Sequence, residues 1–167
     1  MINSLGAVAA GTMLFAGATT EWINTESTSV FSSKVAYEAI SPSSYPSRLS
    51  NFQADTESWI GLSCKGESTR VYFGLTNMPK MLKHNDPLIA KVRFNDEVRD
   101  ISIRQPSSQL YLNPTASDQA YLLEGIQSSD TLSLELTWSN IGSVQFDYSL
   151  DGAKSSISTM KAQCKEA

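Results

Sequence analysis

Apolar and polar residues alternate with a period of two over most of the chain after residue 55. Ile60, Leu62 and Cys64 alternate with Trp59, Gly61 and Ser63, and Val71, Phe73 and Leu75 repeat the pattern after a Lys65-Gly66-Glu67-Ser68 turn. This is the signature of a hairpin with one face inward. Leu88, Ala90, Val92 and Phe94 line a third strand, and Asn95-Asp96 turns into a fourth over Val98–Arg104. The clearest alternation comes late. Leu132, Leu134, Leu136 and Trp138 face one way, and after an Asn140-Ile141-Gly142 turn Val144, Phe146, Tyr148 and Leu150 do the same. Strands with one apolar and one polar face belong to half-buried antiparallel sheets, not to a buried parallel one.

Two segments change period. Ala116–Gln127 places Leu122, Leu123 and Ile126 on one helical stripe behind Pro114-Thr115. Asp151 is the expected N-cap of a second helix running to about Cys164, where Ala153, Ile157, Met160 and Cys164 share one face. The first third reads differently. Thr19 to Asp55 is rich in Ser, Thr and Pro, with one candidate strand over Lys34–Ile40 and a loop over Ser41–Ser47. The expected fold class is all-β: a mostly antiparallel β-sandwich of about eight strands, with two short helices and one disulfide.

The cysteines sharpen this picture. Strand alternation turns Cys64 inward with Ile60 and Leu62, and helical spacing turns Cys164 inward independently. Leu5–Ala18 is apolar or small throughout and ends in Ala16-Gly17-Ala18, a small-x-small cleavage pattern. Residues 1–18 are therefore expected to be a signal peptide and 19–167 a single domain. Export puts the thiols where they oxidise, and a Cys64–Cys164 disulfide is the simplest outcome. The alternatives are an uncleaved anchor or a structural apolar start, with two free buried thiols in a cytoplasmic protein. No Lys or Arg precedes the apolar run, which departs from the usual leader. The run is also shorter than the roughly 20 residues a bilayer span needs, so no stable membrane span is expected once the leader is removed. The expected location is periplasmic or secreted.

Charge removes some partners. The net charge is −4, and the densest basic run, Lys91 to Arg104, is largely neutralised by Asp96, Glu97 and Asp100. Such a chain is a poor match for nucleic acid or an anionic membrane.

Recognisable catalytic chemistry is sparse. The single histidine, His84, lies in a polar loop, and Gly61-Leu62-Ser63-Cys64-Lys65 is mid-strand rather than a nucleophile elbow. One His and two distant Cys do not make a zinc set, and Asn95-Asp96-Glu97 with Asp100 reads as a charged hairpin tip rather than a calcium loop. We assign no catalytic, cofactor-binding or metal-binding residue. Two carboxylates for glycoside hydrolysis can come from anywhere in a fold and remain an alternative. Trp22, Trp59 and Trp138 are candidates for a sugar platform, although Trp138 shares its face with three leucines and reads as core. Trp59 alternates away from the core. It either belongs to a binding surface or, as the simpler reading, lies under the Ser/Pro-rich N-terminal segment.

A string of spaced features runs from Trp22 through Ser32-Ser33-Lys34-Val35, Leu62-Ser63-Cys64, Arg70-Val71-Tyr72-Phe73 and Val92-Arg93-Phe94-Asn95. It then passes through a helix and apolar strand over Tyr121–Leu136 to Phe146, Leu150, Gly152, Ala153 and a helix closing on Cys164. This string resembles the VasI-like, type VI secretion-associated family of small exported proteins, which also occur in phage and prophage settings. Ser63 stands where that family often has Arg. The resemblance implies an all-β, disulfide-closed, non-catalytic domain and carries over no active-site residue. The expected function is a non-enzymatic exported accessory or binding protein of the cell envelope, meeting a protein partner through a sheet face or the loops around Ser41–Ser47 and Asn77–Pro87. The alternatives are a phage-encoded envelope or virion protein, and a small glycan hydrolase.

Overall fold

The computed structural model describes residues 21–28, 35–48, 55–77, 87–106, 110–138 and 142–166. The expected leader, His84, most of the Asn77–Pro87 loop and the first part of the Asn140-Ile141-Gly142 turn lie outside them. Strands β1 (Ile23–Thr28), β2 (Val35–Ile40), β3 (Pro46–Arg48), β4 (Ser58–Lys65) and β5 (Ser68–Leu75) come first. Next are β6 (Leu88–Phe94), β7 (Glu97–Arg104), β8 (Tyr111–Pro114) and helix α1 (Ala116–Ser128). Strands β9 (Thr131–Trp138) and β10 (Gly142–Ser149) and helix α2 (Ala153–Glu166) complete the order.

The ten strands among the described residues form one curled sheet in the order β1-β2-β4-β5-β8-β7-β6-β9-β10-β3, and every pairing among them is antiparallel. The corner is β8. Its first residues pair with β5 (Tyr111↔Gly74, Leu112↔Phe73) and its last with β7 (Asn113↔Arg104, Pro114↔Ile103). A strand that switches partners in this way lets a sheet fold over onto itself. The opposite margin is closed by the chain between β2 and β3. Ser41 Oγ accepts from the Ile60 amide at 2.9 Å, and Ser44 and Ser58 exchange backbone bonds. The expected Ser41–Ser47 loop is thus a crossover tied to β4 that ends in a strand on β10.

The core lies inside the curl. Leu132, Leu134 and Leu136 stand opposite Tyr148, Phe146 and Val144, and all six are buried. Trp138 is buried beside Phe146, with ring centroids 6.3 Å apart. Between the two halves, Tyr148 Oη meets Ser58 Oγ at 2.6 Å, and Ser58 Oγ lies 3.0 Å from the Gly74 carbonyl, to which it donates. Tyr148 is therefore the donor in the first bond. A buried hydroxyl pair of this kind is satisfied only at one register.

Both helices pack on the inner side. In α2, Ala153, Ile157, Met160 and Cys164 are buried as the spacing predicts. Cys164 is bonded to Cys64 of β4, 100 residues away. Helix α2 opens at Ala153 with Gly152 before it, so Asp151 sits one residue ahead of the capping position expected for it. Gly152 takes φ +82°, a turn that a residue with a side chain resists. Helix α1 buries Leu122 and Ile126. Its first turn is held by Asp118, which accepts from the Ser102 amide at 2.9 Å and from Arg99 at 3.3 Å.

In the chain-entropy picture, closing a loop of this length removes about 4–5 kcal/mol of freedom from the unfolded chain. Replacing both Cys64 and Cys164 by alanine is expected to lower the unfolding free energy by about that much in urea titration. A loss under about 1 kcal/mol would contradict the role assigned to the bond.

Candidate functional site

The period-2 pattern that buries Ile60, Leu62 and Cys64 turns Trp59, Gly61 and Ser63 to the outer side of the sheet. Register continues each position across neighbouring strands. One row reads Thr25, Glu38, Ser63, Arg70. The next reads Ile23, Ile40, Gly61, Tyr72, and the third is Trp59, Gly74, Tyr111. The outer face of β1, β2, β4, β5 and β8 therefore carries an aromatic patch bordered by a polar row. Strand β2 lies beside Trp59's strand in the sheet, with β1 beyond it, and the two supply Ile40 and Ile23 to the same face.

Two glycines shape the patch. A Cβ on Gly61 would fall within the Tyr72 ring, meeting Cζ, Cε1 and Cε2, and one on Gly74 would fall within the Trp59 indole. Each ring thus lies flat on the backbone of the residue opposite, with one face against the sheet. Glycine is what allows that approach. Tyr111, 43% exposed, stands edge-on to Tyr72 with centroids 5.2 Å apart and an interplanar angle of 75°. Trp59 and Tyr72 form a floor, and Tyr111 forms a wall beside it.

The polar border has its own electrostatics. Burial holds the Glu38 carboxyl above its ordinary value of 4.5. Burial, and then the neighbouring Glu38 charge, push the Tyr72 phenol upward. At the far side Glu57, two residues before Trp59, accepts a hydrogen bond from Tyr45 Oη at 2.8 Å. Glu38 stands opposite Ser63, six residues along β4 from Glu57, or roughly 20 Å at the rise of a strand. Catalytic carboxylate pairs sit at most about 9.5 Å apart, so these two do not form one.

The other expected candidates are dispersed. Trp138 is in the core, and Trp22 packs against the core near Gly152. The structure therefore separates the three tryptophans and leaves Trp59 alone on the outer face. Asn95 uses its side-chain oxygen to accept from the Asp130 and Thr131 amides, pinning the β6–β7 turn to β9. Lys91 and Asp100 pair at 2.9 Å on the exposed surface. Among the described residues no three His, Cys, Asp or Glu side chains are grouped closely enough to hold a metal ion. No described helix is long and apolar enough to cross a membrane. A cleft of about 600 Å³ opens beside the disulfide, between the β4–β5 turn and the two helices. Its Gln119 is already committed to the Val71 amide and carbonyl. The sequence pattern marks Tyr72 only as part of the Arg70-Val71-Tyr72-Phe73 strand and does not mark Tyr111 at all, although the Trp-x-Gly and Tyr-x-Gly spacings are a signal for rings crossing onto glycines.

No family model, curated protein or solved structure matches this chain.

Two outcomes follow from this geometry. A folded carboxyl pKa above the unfolded one means that ionising Glu38 costs stability. The cost is absent below the unfolded pKa and complete above the folded one. Glu38→Gln is therefore expected to stabilise the protein at about pH 7 and to lose that advantage near pH 3, as read by thermal unfolding. Gly74→Ala is expected to lift the Trp59 indole off the sheet, costing about 1 kcal/mol and raising acrylamide quenching of tryptophan emission. Unchanged quenching would show that the ring does not lie on Gly74.

Proposed function

We propose that the protein is a non-enzymatic accessory or binding protein of the cell envelope, exported through its N-terminal segment and using the outer aromatic face as its contact surface. The observation that carries this reading is the core disulfide, a bond that persists in oxidising compartments and is rare in reducing ones. Cys64 and Cys164 are 2% and 4% exposed. So deep a bond serves the fold rather than exchange with partners, because exchange needs an accessible sulfur. A periplasmic or secreted location agrees with it. So does the resemblance to the VasI-like family, whose setting in type VI secretion or in prophage would supply the envelope context.

The binding role draws on two further facts. The aromatic rows on the outer face pack under no described helix, and the acidic groups around them are too far apart for two-carboxylate hydrolysis. Asp118, the most deeply buried acid described, has its oxygens taken up by Ser102, Thr115 and Arg99.

The test is the intact mass of the protein recovered from its native host, with thiol alkylation before and after reduction. The expected result is a chain beginning at Thr19 whose two cysteines react only after reduction. A chain that keeps Met1, with both thiols freely alkylated, would overturn the exported reading.

A further inference from the structure

We propose that the outer face of β2, β4, β5 and β8 is a glycan-stacking platform, on which the rings of Trp59 and Tyr72 receive the C–H faces of a neutral oligosaccharide. The assignment rests on the binding-protein reading and names the ligand class for that face.

Ring orientation favours a sugar. Core aromatics interdigitate edge and face, whereas Trp59 and Tyr72 lie flat on Gly74 and Gly61 and remain only partly buried. A ring lying flat on a sheet turns its second π-face away from it. That face carries the negative lobe of the quadrupole, and the axial C–H groups of a pyranose present small positive charges in a matching plane. An apolar protein partner needs no such orientation. It is served equally by side chains standing up from the sheet.

The patch has a matching shape. Tyr111 rises against the Tyr72 edge at 75° and 5.2 Å, so the floor ends in a wall. Neighbouring strands lie about 4.8 Å apart, and the three rings sit on or over three adjacent strands. Their spacing is on the scale of one hexose, which leaves room for a short oligosaccharide running across the strands.

A polar border flanks the rings. Register places Thr25, Glu38, Ser63 and Arg70 along one side of the rings, and Glu57 with Tyr45 occupies the other side. These groups offer acceptors and donors at the edge of a stacked sugar, where its equatorial hydroxyls project. Glu38 is half-buried. Two carboxylates, Glu38 and Glu57, are offset by Arg70 and by the exposed Arg104, which lies opposite Asn113 on the same outer side. A single-stranded nucleic acid also stacks on aromatics, but it needs a cationic track for its phosphates, and this charge-balanced border offers none.

The experiment uses the full oxidised chain, titrated by NMR and calorimetry with three neutral oligosaccharides, chitotetraose, cellotetraose and maltotetraose. The expected result is saturable binding of at least one of them, with a dissociation constant on the order of 1 mM or tighter. Signal changes should be confined to Trp59, Tyr72, Tyr111 and their border. Tyr111→Ala, a change at an exposed position that leaves the core intact, should weaken binding at least about 10-fold, or 1.4 kcal/mol. Trp59→Ala should weaken it further, while Trp59→Phe retains much of it. Binding by none of the three ligands, binding untouched by Tyr111→Ala, or shifts centred elsewhere would each overturn the assignment. If all sugars fail while the native protein still starts at Thr19 with protected cysteines, the glycan assignment falls and the exported-domain reading stands.

Discussion

The disulfide between Cys64 and Cys164 fixes helix α2 against the inner side of β4, and so decides which face of that strand looks outward. Side chains on a strand alternate, so inner and outer sides cannot be chosen separately. Cys64, Leu62 and Ile60 inside require Ser63, Gly61 and Trp59 outside. Ser58, at the start of the same strand, adds a second inner tie through its bonds to Tyr148 and the Gly74 carbonyl. A slip of one residue would break the disulfide geometry, strand the Tyr148 hydroxyl and drive the indole into the core. The aromatic face is thus held in place by chemistry on the opposite side of the sheet.

The same strand links the two halves of the curl. Sheet continuity runs from β4 through β5 to the β8 corner, while the Ser41–Ser44 crossover returns along its other edge. Both helices fill the concave side. The described part of the fold therefore has one packed interior and one aromatic outer face. The other broad face, over β6, β9 and β10, carries Lys91, Arg93, Ser133, Glu135, Gln145 and Asp147, a mixed-charge surface of the kind water covers well.

Strands with a regular apolar alternation were legible in the sequence, as was the inward direction of both cysteines, because burial of one face imposes a period that survives in the residue order. Strands β1, β3 and β8 were not. Ile23–Thr28 is an edge strand dominated by Ser, Thr, Asn and Glu, and it pairs through its backbone rather than through an apolar face. Pro46–Arg48 and Tyr111–Pro114 are too short to show a period. The Ser/Pro stretch at Ser41–Ser47 read as a free loop, since nothing in its composition reveals that β4 and β10 lie on either side of it. Trp59 was recognised as outward-facing. Its company was not, because Tyr72 and Tyr111 join it only through cross-strand register, which depends on turns and a corner far away in the chain.

The inner disulfide leaves Trp59 outward and partly exposed, with one ring face turned away from the sheet. The most direct measurement is NMR of the oxidised protein with tryptophan rings labelled, in the presence of a soluble paramagnetic agent. The expected result is strong relaxation of the Trp59 ring protons and almost none for Trp138, which is 2% exposed. Equal protection of the two indoles would contradict it, and the outer face would then be a covered surface rather than a binding one.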